Sequence, residues 1–380
     1  MPTSYLGSLS ARSRELISSA RTSYLDRLDS SEIPSAQRKI LLRIAGLHTS
    51  APSDRAEIAV SDEDGALSLP NTKRMLKWLA EGTGRGLELA GGHETPKDVR
   101  ELLGLLIGSM GEVYLESALD ALIDTSTTLE SSTKTEPDFA FLIDLRPAIS
   151  ILHLLLATIQ TLLLPLASSN LTIRRDLEKQ TSTFVDRMES KIDTVLQKSI
   201  DASLSWTQRL LAQQKKTDFR PRDDSSLQLD QLQTPTCLAI YNFSSKRVYA
   251  RATAALNGKI LESFCLELAI GLRSLLLAHF RSFTVSLTGG LVISKDVAKY
   301  TELLKGWRVS AGFKESLEVL TEVANLFVIN PEALRERLRG ISAGAATGGM
   351  VGVTGADLKP FLMKREDANG VGVQAVLGSL

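Results

Sequence analysis

An all-α chain is what this sequence predicts, and three observations carry the prediction. Apolar residues recur at steps of three, four and seven along almost the whole length, with no convincing stretch of period two. Leucine is abundant while aromatic residues make up only 5%, a composition that suits helices packed through aliphatic side chains. Glycine and proline fall mostly between the periodic segments. With 380 residues the chain can build two or three ordinary domains or one elongated stack of helices.

The elements follow in order. Ala11 to Leu47 reads as helical with a break at Ile33-Pro34, because proline fixes φ and lacks an N–H. Thr49 to Leu69 is polar and acidic, carries Pro52 and Asp62–Gly65, and reads as a loop. Pro70-Asn71-Thr72 opens a helix with Met75, Leu76, Trp78, Leu79, Leu87 and Leu89 as its apolar positions, which Gly82, Gly84 and Gly86 interrupt or end. Thr95 before Pro96 supplies a cap oxygen and a first-turn proline. The stripe behind it is Val99, Leu102, Leu103, Leu106, Met110, Val113, Leu119 and Leu122, and the Ser/Thr-rich run Thr125 to Thr135 reads as a flexible connection.

Ala148 to Ala167 is apolar nearly all round and long enough for a membrane span, yet His153, Thr158, Gln160, Thr161 and Pro165 interrupt it. The centre of a large bundle suits it better, with a span as the alternative. Leu171 to about Lys216 is the most regular segment, with Leu177, Phe184, Met188, Ile192, Val195, Ser199, Trp206 and Leu210 on one stripe. A helix of that length is a rod tens of ångströms long that depends on neighbours for its stability. Thr217 to Pro235 reads as a linker. Helices resume at Thr236–Leu256, Lys259–Phe283, Ser294–Trp307, Phe313–Phe327 and Pro331–Arg339, followed by an Ala/Gly loop from Ala343, a short helix at Ala356–Lys364 and a Gly-rich tail. The organisation is therefore an N-terminal segment and loop over 1–69, one or more bundles over 70–216, a linker over 217–235 and a C-terminal bundle over 236–380.

Charge and chemistry exclude more than they assign. Basic and acidic residues balance at 44 each, so no global field draws nucleic acid. Cys237 and Cys265 fit no disulfide framework or ligand spacing and read as buried thiols of a reducing compartment. The first residues lack a basic segment followed by an apolar one, which points to the cytoplasm. His48, His93, His153 and His279 share no metal-ligand spacing, Asp62-Glu63-Asp64 lacks the alternation of a calcium loop, and no cofactor is expected.

Gly340-Ile-Ser342-Ala-Gly344 has the letters of a nucleophile elbow, which requires a strand going in and a helix coming out. Here a helix goes in and an Ala/Gly loop comes out, so a serine hydrolase using Ser342 is a remote alternative to a non-enzyme. Gly82-Thr-Gly84-Arg-Gly86 and Asn257-Gly-Lys259 fail as phosphate loops for lack of a preceding strand, the second reading as a helix-ending turn with a left-handed glycine. The short basic clusters Lys73-Arg74-Lys77, Arg174-Arg175 and Lys215-Lys216 read as solvated helix faces. Lys364-Arg365, with Arg335 and Arg339, are the candidates for a partner or headgroup surface.

Three strings in the last third, Thr288-Gly-Gly-Leu-Val-Ile-Ser-Lys-Asp296, Asn330-Pro-Glu-Ala-Leu-Arg-Glu-Arg-Leu-Arg-Gly340 and Leu358-Lys-Pro-Phe-Leu-Met-Lys-Arg-Glu-Asp367, carry a resemblance. With Lys73–Gly82, Glu94–Asp98, Met110–Asp120 and Ser168–Asp176 they make the chain from about residue 70 onward similar to the C-terminal region of the Sec-ten subunit family of the exocyst, the vesicle-tethering complex. The resemblance implies an elongated rod of consecutive helical bundles of the multisubunit tethering complex type, without enzymatic activity. It implies scaffolding of secretory vesicles at the plasma membrane before fusion, in the cytoplasm and peripherally at sites of polarised secretion. Its implied partners are other exocyst subunits, with room for a small GTPase, and the membrane is reached through the complex. Family members are about twice this length, so the chain reads as a C-terminal fragment or a truncated gene product, and the Ala343–Val353 insertion is longer than the family pattern. Fungal recyclin-type proteins, which carry a similar region behind an F-box and act in endosomal recycling and ubiquitin ligation, are the alternative.

Overall fold

A computed structural model of the chain describes residues 67–89, 96–131, 135–221, 233–342 and 355–378, and none of these lies in a β-strand. The expected helix over Ala11–Leu47, the acidic loop with Asp62–Asp64, His48, His93 and the Ala/Gly loop from Ala343 lie outside the described residues. Helices make up most of the described residues, and these group into two compact units whose boundaries fall inside helices, after Thr128 and after Gln197. Of the described residues, the first holds those up to Thr128 with Phe141–Gln197, and the second holds those within Leu129–Ala140 and from Lys198 onward.

In the first unit α1 (Leu69–Leu89) runs through Gly82, Gly84 and Gly86 without ending, and an added Cβ at Gly84 would meet open space. The helix pays nothing in packing there, only the modest propensity cost of glycine. α2 (Pro96–Leu106) continues through a π-helical stretch, Ile107–Glu116, into α3 (Ser117–Ser131). In that stretch the Ser117 N–H reaches the Glu112 carbonyl five residues back, and the wide turn shifts the helical phase by one residue. Tyr114 and Leu115 therefore occupy the core, and Val113, expected there, is 40% exposed.

The Ser/Thr run also departs from expectation, since α3 extends to Ser131. Thr125, Thr127 and Thr128 donate their hydroxyls to the carbonyls of Ala121, Ile123 and Asp124 four residues back, which satisfies them inside a helix. α4 (Leu145–Thr158) follows a 3₁₀ turn, Ala140–Asp144, and packs on α1. A π turn, Ile159–Leu163, carries it on.

The apolar run from Ala148 proves one-sided rather than buried all round. Ala148, Ile151, Leu155, Ile159, Leu163 and Ala167 are buried at steps of three or four, while His153, Ala157, Gln160 and Thr161 face out. By length and composition the stretches Asp98–Leu129 and Ala140–Leu166 are long and apolar enough to cross a membrane.

α5 (Leu171–Ala212) is 42 residues long. Asn170 caps it, its Oδ1 accepting the N–H groups of Thr172 and Ile173 at 3.1 and 3.2 Å. Leu177, Phe184, Met188, Ile192 and Val195 are buried in the first unit. Within the second unit the small residues Ser199, Ala202, Ser203 and Thr207 are buried beside Ile200 and Leu211, and Trp206 and Leu210 turn half outward.

The start of the expected linker is anchored instead. Phe219 is fully buried among Phe280 and Phe283, with ring centroids 6.1 and 5.1 Å away, and its carbonyl accepts the Ser286 N–H. Residues 222–232 lie outside the described chain. α6 (Pro235–Asn242) begins at Thr234, whose hydroxyl accepts from the Cys237 N–H, and passes through a π stretch, Phe243–Tyr249, into α7 (Ala250–Ala255). Gly258 has φ of 54°, the left-handed value expected of it, and leads α8 (Gly258–Phe280).

α9 (Leu287–Lys305) starts a full two turns before the expected Ser294, with Ser286 as its cap. The glycines that obscured this start are clearances. An added Cβ at Gly289 would overlap the Phe219 carbonyl, and one at Gly290 would sit 2.9 Å from the Phe327 carbonyl oxygen. α10 (Ala311–Ser316), α11 (Glu318–Val328), α12 (Pro331–Ser342), α13 (Gly355–Leu362) and α14 (Val371–Leu377) complete the unit. α9 packs most extensively on α11 and also meets α6, while α12 packs on α14, a helix that the glycines of the tail concealed.

Candidate interaction surfaces

The cations singled out in the sequence do not share one fate. Arg335 stands exposed on α12, and Lys364 is half-buried just after α13. Arg339 lies on α12 with its side chain outside the described residues. Arg365 is 5% exposed and cannot serve as surface. Its Nη1 donates to the carbonyls of Leu326 and Ile329 at the C-terminal end of α11, and its Nε and Nη2 grip Asp367 at 2.7 and 2.8 Å. Those carbonyls have no helical partner, so a guanidinium fork is well matched to them. The bond from Arg365 holds the Asp367 carboxyl below the ordinary carboxylate range. Backbone pairing fixes the same place, with Val285 N–H on the Lys364 carbonyl and Glu366 N–H on the Val285 carbonyl, both at 2.8 Å.

A neighbouring arginine is also committed. Arg337 on α12 pairs through Nε and Nη2 with both carboxylate oxygens of the buried Glu322 on α11, and the hydrogen bond to Glu322 raises its pKa.

A second buried polar centre was not singled out as a site. Asp296 on α9 is 1% exposed, and it accepts the Thr234 N–H at 2.9 Å and the Thr234 hydroxyl at 2.6 Å. The Cys237 thiol points at its carbonyl oxygen, 3.8 Å away. Burial pushes the Asp296 carboxyl up to about 6, although the Thr234 bonds oppose the shift. One sequence signal could have found it: a carboxylate standing on the apolar stripe of Ile293, Val297 and Tyr300. The effect is to bind the cap of α6 to the middle of α9.

Other reactive groups are quiet. Burial raises the Cys237 thiol above the usual range and the Cys265 thiol to about 11, so both stay protonated at neutral pH. His279 sits among Phe219, Phe280 and Phe283, and burial lowers its pKa to about 4. Ser342 ends helix α12, so a helix and no strand leads into it, and its side chain and Gly344 lie outside the described residues. Among the described residues no three His, Cys, Asp or Glu side chains converge as metal ligands would.

The first unit presents its charges outward. Arg187 of α5 reaches Glu112 at 2.9 Å and Glu116 at 3.3 Å, and Lys191 one turn on reaches Glu116 and Asp120. On the second unit Leu287 and Leu291, one turn apart on α9, are 62% and 45% exposed.

Comparison with known proteins gives this helical pattern a context. A family described as exocyst complex component Sec10-like, alpha-helical bundle, matches residues 3–377. The chain is similar to exocyst complex component SEC10 of Saccharomyces cerevisiae, 27% identical over 303 residues that make up 80% of this chain and 33% of that protein. It is similar to exocyst complex component 5 of Caenorhabditis elegans, 26% identical over 276 residues, 72% of this chain and 40% of that protein. The human exocyst complex component 5 is 24% identical over 244 residues, 64% of this chain and 33% of that protein. The chain thus spans between a third and two-fifths of the length of these relatives.

Proposed function

This chain belongs to the exocyst Sec10-like α-helical bundle family, and from that premise we propose that it is a non-catalytic part of an exocyst subunit that scaffolds the tethering of secretory vesicles to the plasma membrane before fusion. The family match from residue 3 to residue 377 carries this reading. Its work is geometric. Separated helix faces bind the other exocyst subunits and, at one of them, a small GTPase. The protein acts in the cytoplasm and meets the membrane peripherally, through the complex.

Affinity on this reading comes from apolar positions left uncovered by the bundle, with charged neighbours setting the register. Leu287 and Leu291 are such positions, and Arg335 and Lys364 are the charged candidates. The experiment is purification of the tagged chain from cells under native conditions, with its companions identified by mass spectrometry. Other exocyst subunits in near-equal amounts are the expected result, and their absence overturns the proposal. Leu287→Asp with Leu291→Asp should deplete at least one subunit while the chain stays folded by circular dichroism.

A further inference from the structure

A cleft in the second unit has no role in the packing described so far. It is an open cleft of about 270 Å³ between the end of α5 and the junction of α6 with its π stretch. Trp206 and Phe243 form its apolar wall, their ring centroids 6.4 Å apart and tilted by 52°, and Ala239 borders them. Phe243 is held from behind by Phe139, also at 6.4 Å, so the wall is backed by buried structure rather than by a loose side chain. Trp206 is only half covered. The volume falls just below the ~300 Å³ at which ligand pockets begin, which suits one large side chain and not a cofactor.

The remaining lining is charged and unequal. Lys246 and Arg247, successive residues of the π stretch, share the lining with one carboxylate, Glu136. Glu136 reaches Arg247 Nε at 3.0 Å, in a pair whose side chains are 52% and 46% exposed. A pair that open to water is weak and exchanges readily. Lys246 has no ion partner among the described residues, so the lining carries two cations against one anion. An occupant that complements it brings an apolar side chain to Trp206 and a carboxylate to Lys246 and Arg247.

We propose that this cleft binds a partner segment in which an aromatic or leucyl side chain lies beside a carboxylate, with Glu136 occupying the carboxylate position when the segment is absent. Glu136 then acts as an internal competitor, and its removal strengthens binding instead of weakening it. That sign separates the proposal from a cleft shaped by packing alone. The proposal rests on the reading of the chain as a binding scaffold, but its test uses the isolated 380-residue chain. Loss of exocyst companions in cells and loss of binding in this cleft are therefore separate results.

The probe is N-acetyl-phenylalanine, with N-acetyl-phenylalanine amide as the uncharged control. The readout is the indole N–H signal of Trp206, one of 3 tryptophans, identified by its loss in Trp206→Phe. The acid should shift that signal saturably, and the amide should bind about tenfold more weakly. Glu136→Gln should tighten the acid by about threefold, and Arg247→Ala or Lys246→Ala should weaken it by about fivefold, all three leaving the amide unchanged. The indole signals of Trp78 and Trp307 report that each variant is folded. Equal binding of acid and amide, weaker acid binding by Glu136→Gln, or an unmoved Trp206 signal overturns the proposal.

Discussion

In the first unit the buried polar groups among the described residues are neutral hydroxyls, most of them turned back along their own stretch of chain and one, that of Tyr114, accepting the Ser68 N–H at 2.7 Å, whereas the second unit buries two carboxylates and a guanidinium that reach across to other helices. Thr72, Thr83, Ser126 and Thr181 donate to carbonyls three or four residues back. Asp296, Glu322 and Arg365 bind Thr234, Arg337 and the end of α11. A hydroxyl bonded within its helix says nothing about which helix lies opposite. A buried ion does, because it is costly unless one particular partner is present. The first unit therefore leaves the choice of neighbour to apolar shape, to exposed ion pairs and to the neutral Tyr114 hydroxyl at the start of α1, and the second writes it into the interior as charge.

The largest effect should follow loss of the guanidinium. Arg365→Met strands the Leu326 and Ile329 carbonyls and frees Asp367, and should cost the second unit about 3 kcal/mol. Urea unfolding followed by Trp206 and Trp307 should move to lower concentration while the Trp78 transition of the first unit stays in place. Equal shifts in both transitions would break the distinction between the units.

Asp296 gives an intermediate effect with a definite sign. Its folded carboxyl lies at about 6 against an ordinary value of 3.8, so the folded state binds the proton more tightly. The stabilising contribution is fully present below pH ~4 and is lost as pH rises through ~6, amounting to about 2 kcal/mol across that window. Asp296→Asn should remove this part of the pH dependence, read as the difference between the two unfolding curves at pH 4 and pH 7. Parallel pH profiles would show that the carboxylate is not the titrating group.

The smallest effect belongs to the surface ladder of the first unit. Lys191→Ala should cost less than about 1 kcal/mol, and the loss should shrink further at high salt. A larger, salt-insensitive loss would mean that the ladder decides the pairing of α3 with α5 as firmly as the buried ions do in the second unit.

The same contrast explains what could be read from the sequence. Periodicity located α2, α5 and α8 because burial of one stripe is a local pattern, and Pro96 marked a helix start through backbone chemistry alone, while the Thr95 cap lies outside the described residues. It misplaced Val113, since nothing in the letters announces a π turn that shifts the phase. It cut α3 at Thr125, since a Ser/Thr run looks like a linker until its hydroxyls find carbonyls. Arg365 looked like surface charge because its partners, Leu326 and Ile329, lie 39 and 36 residues away and offer only backbone oxygens. The family strings were legible, but the cleft at Trp206 was not, because Glu136 and Arg247 meet across 111 residues.

The pair Gly289-Gly290 acquires a further meaning from where it sits. A helix usually can slide along its neighbour by trading one side chain for another, but here the backbone carbonyls of Phe219 and Phe327 lie close against two successive bare Cα positions. The contact works as a keyway: α9 has one seating depth, and displacing it by a single residue brings Leu291 or Thr288 against main chain that has no rotamer with which to yield. Force applied to α9 by a bound partner would accordingly be passed on to Phe219 and to the end of α11 as a push on the backbone, without being absorbed by side-chain motion.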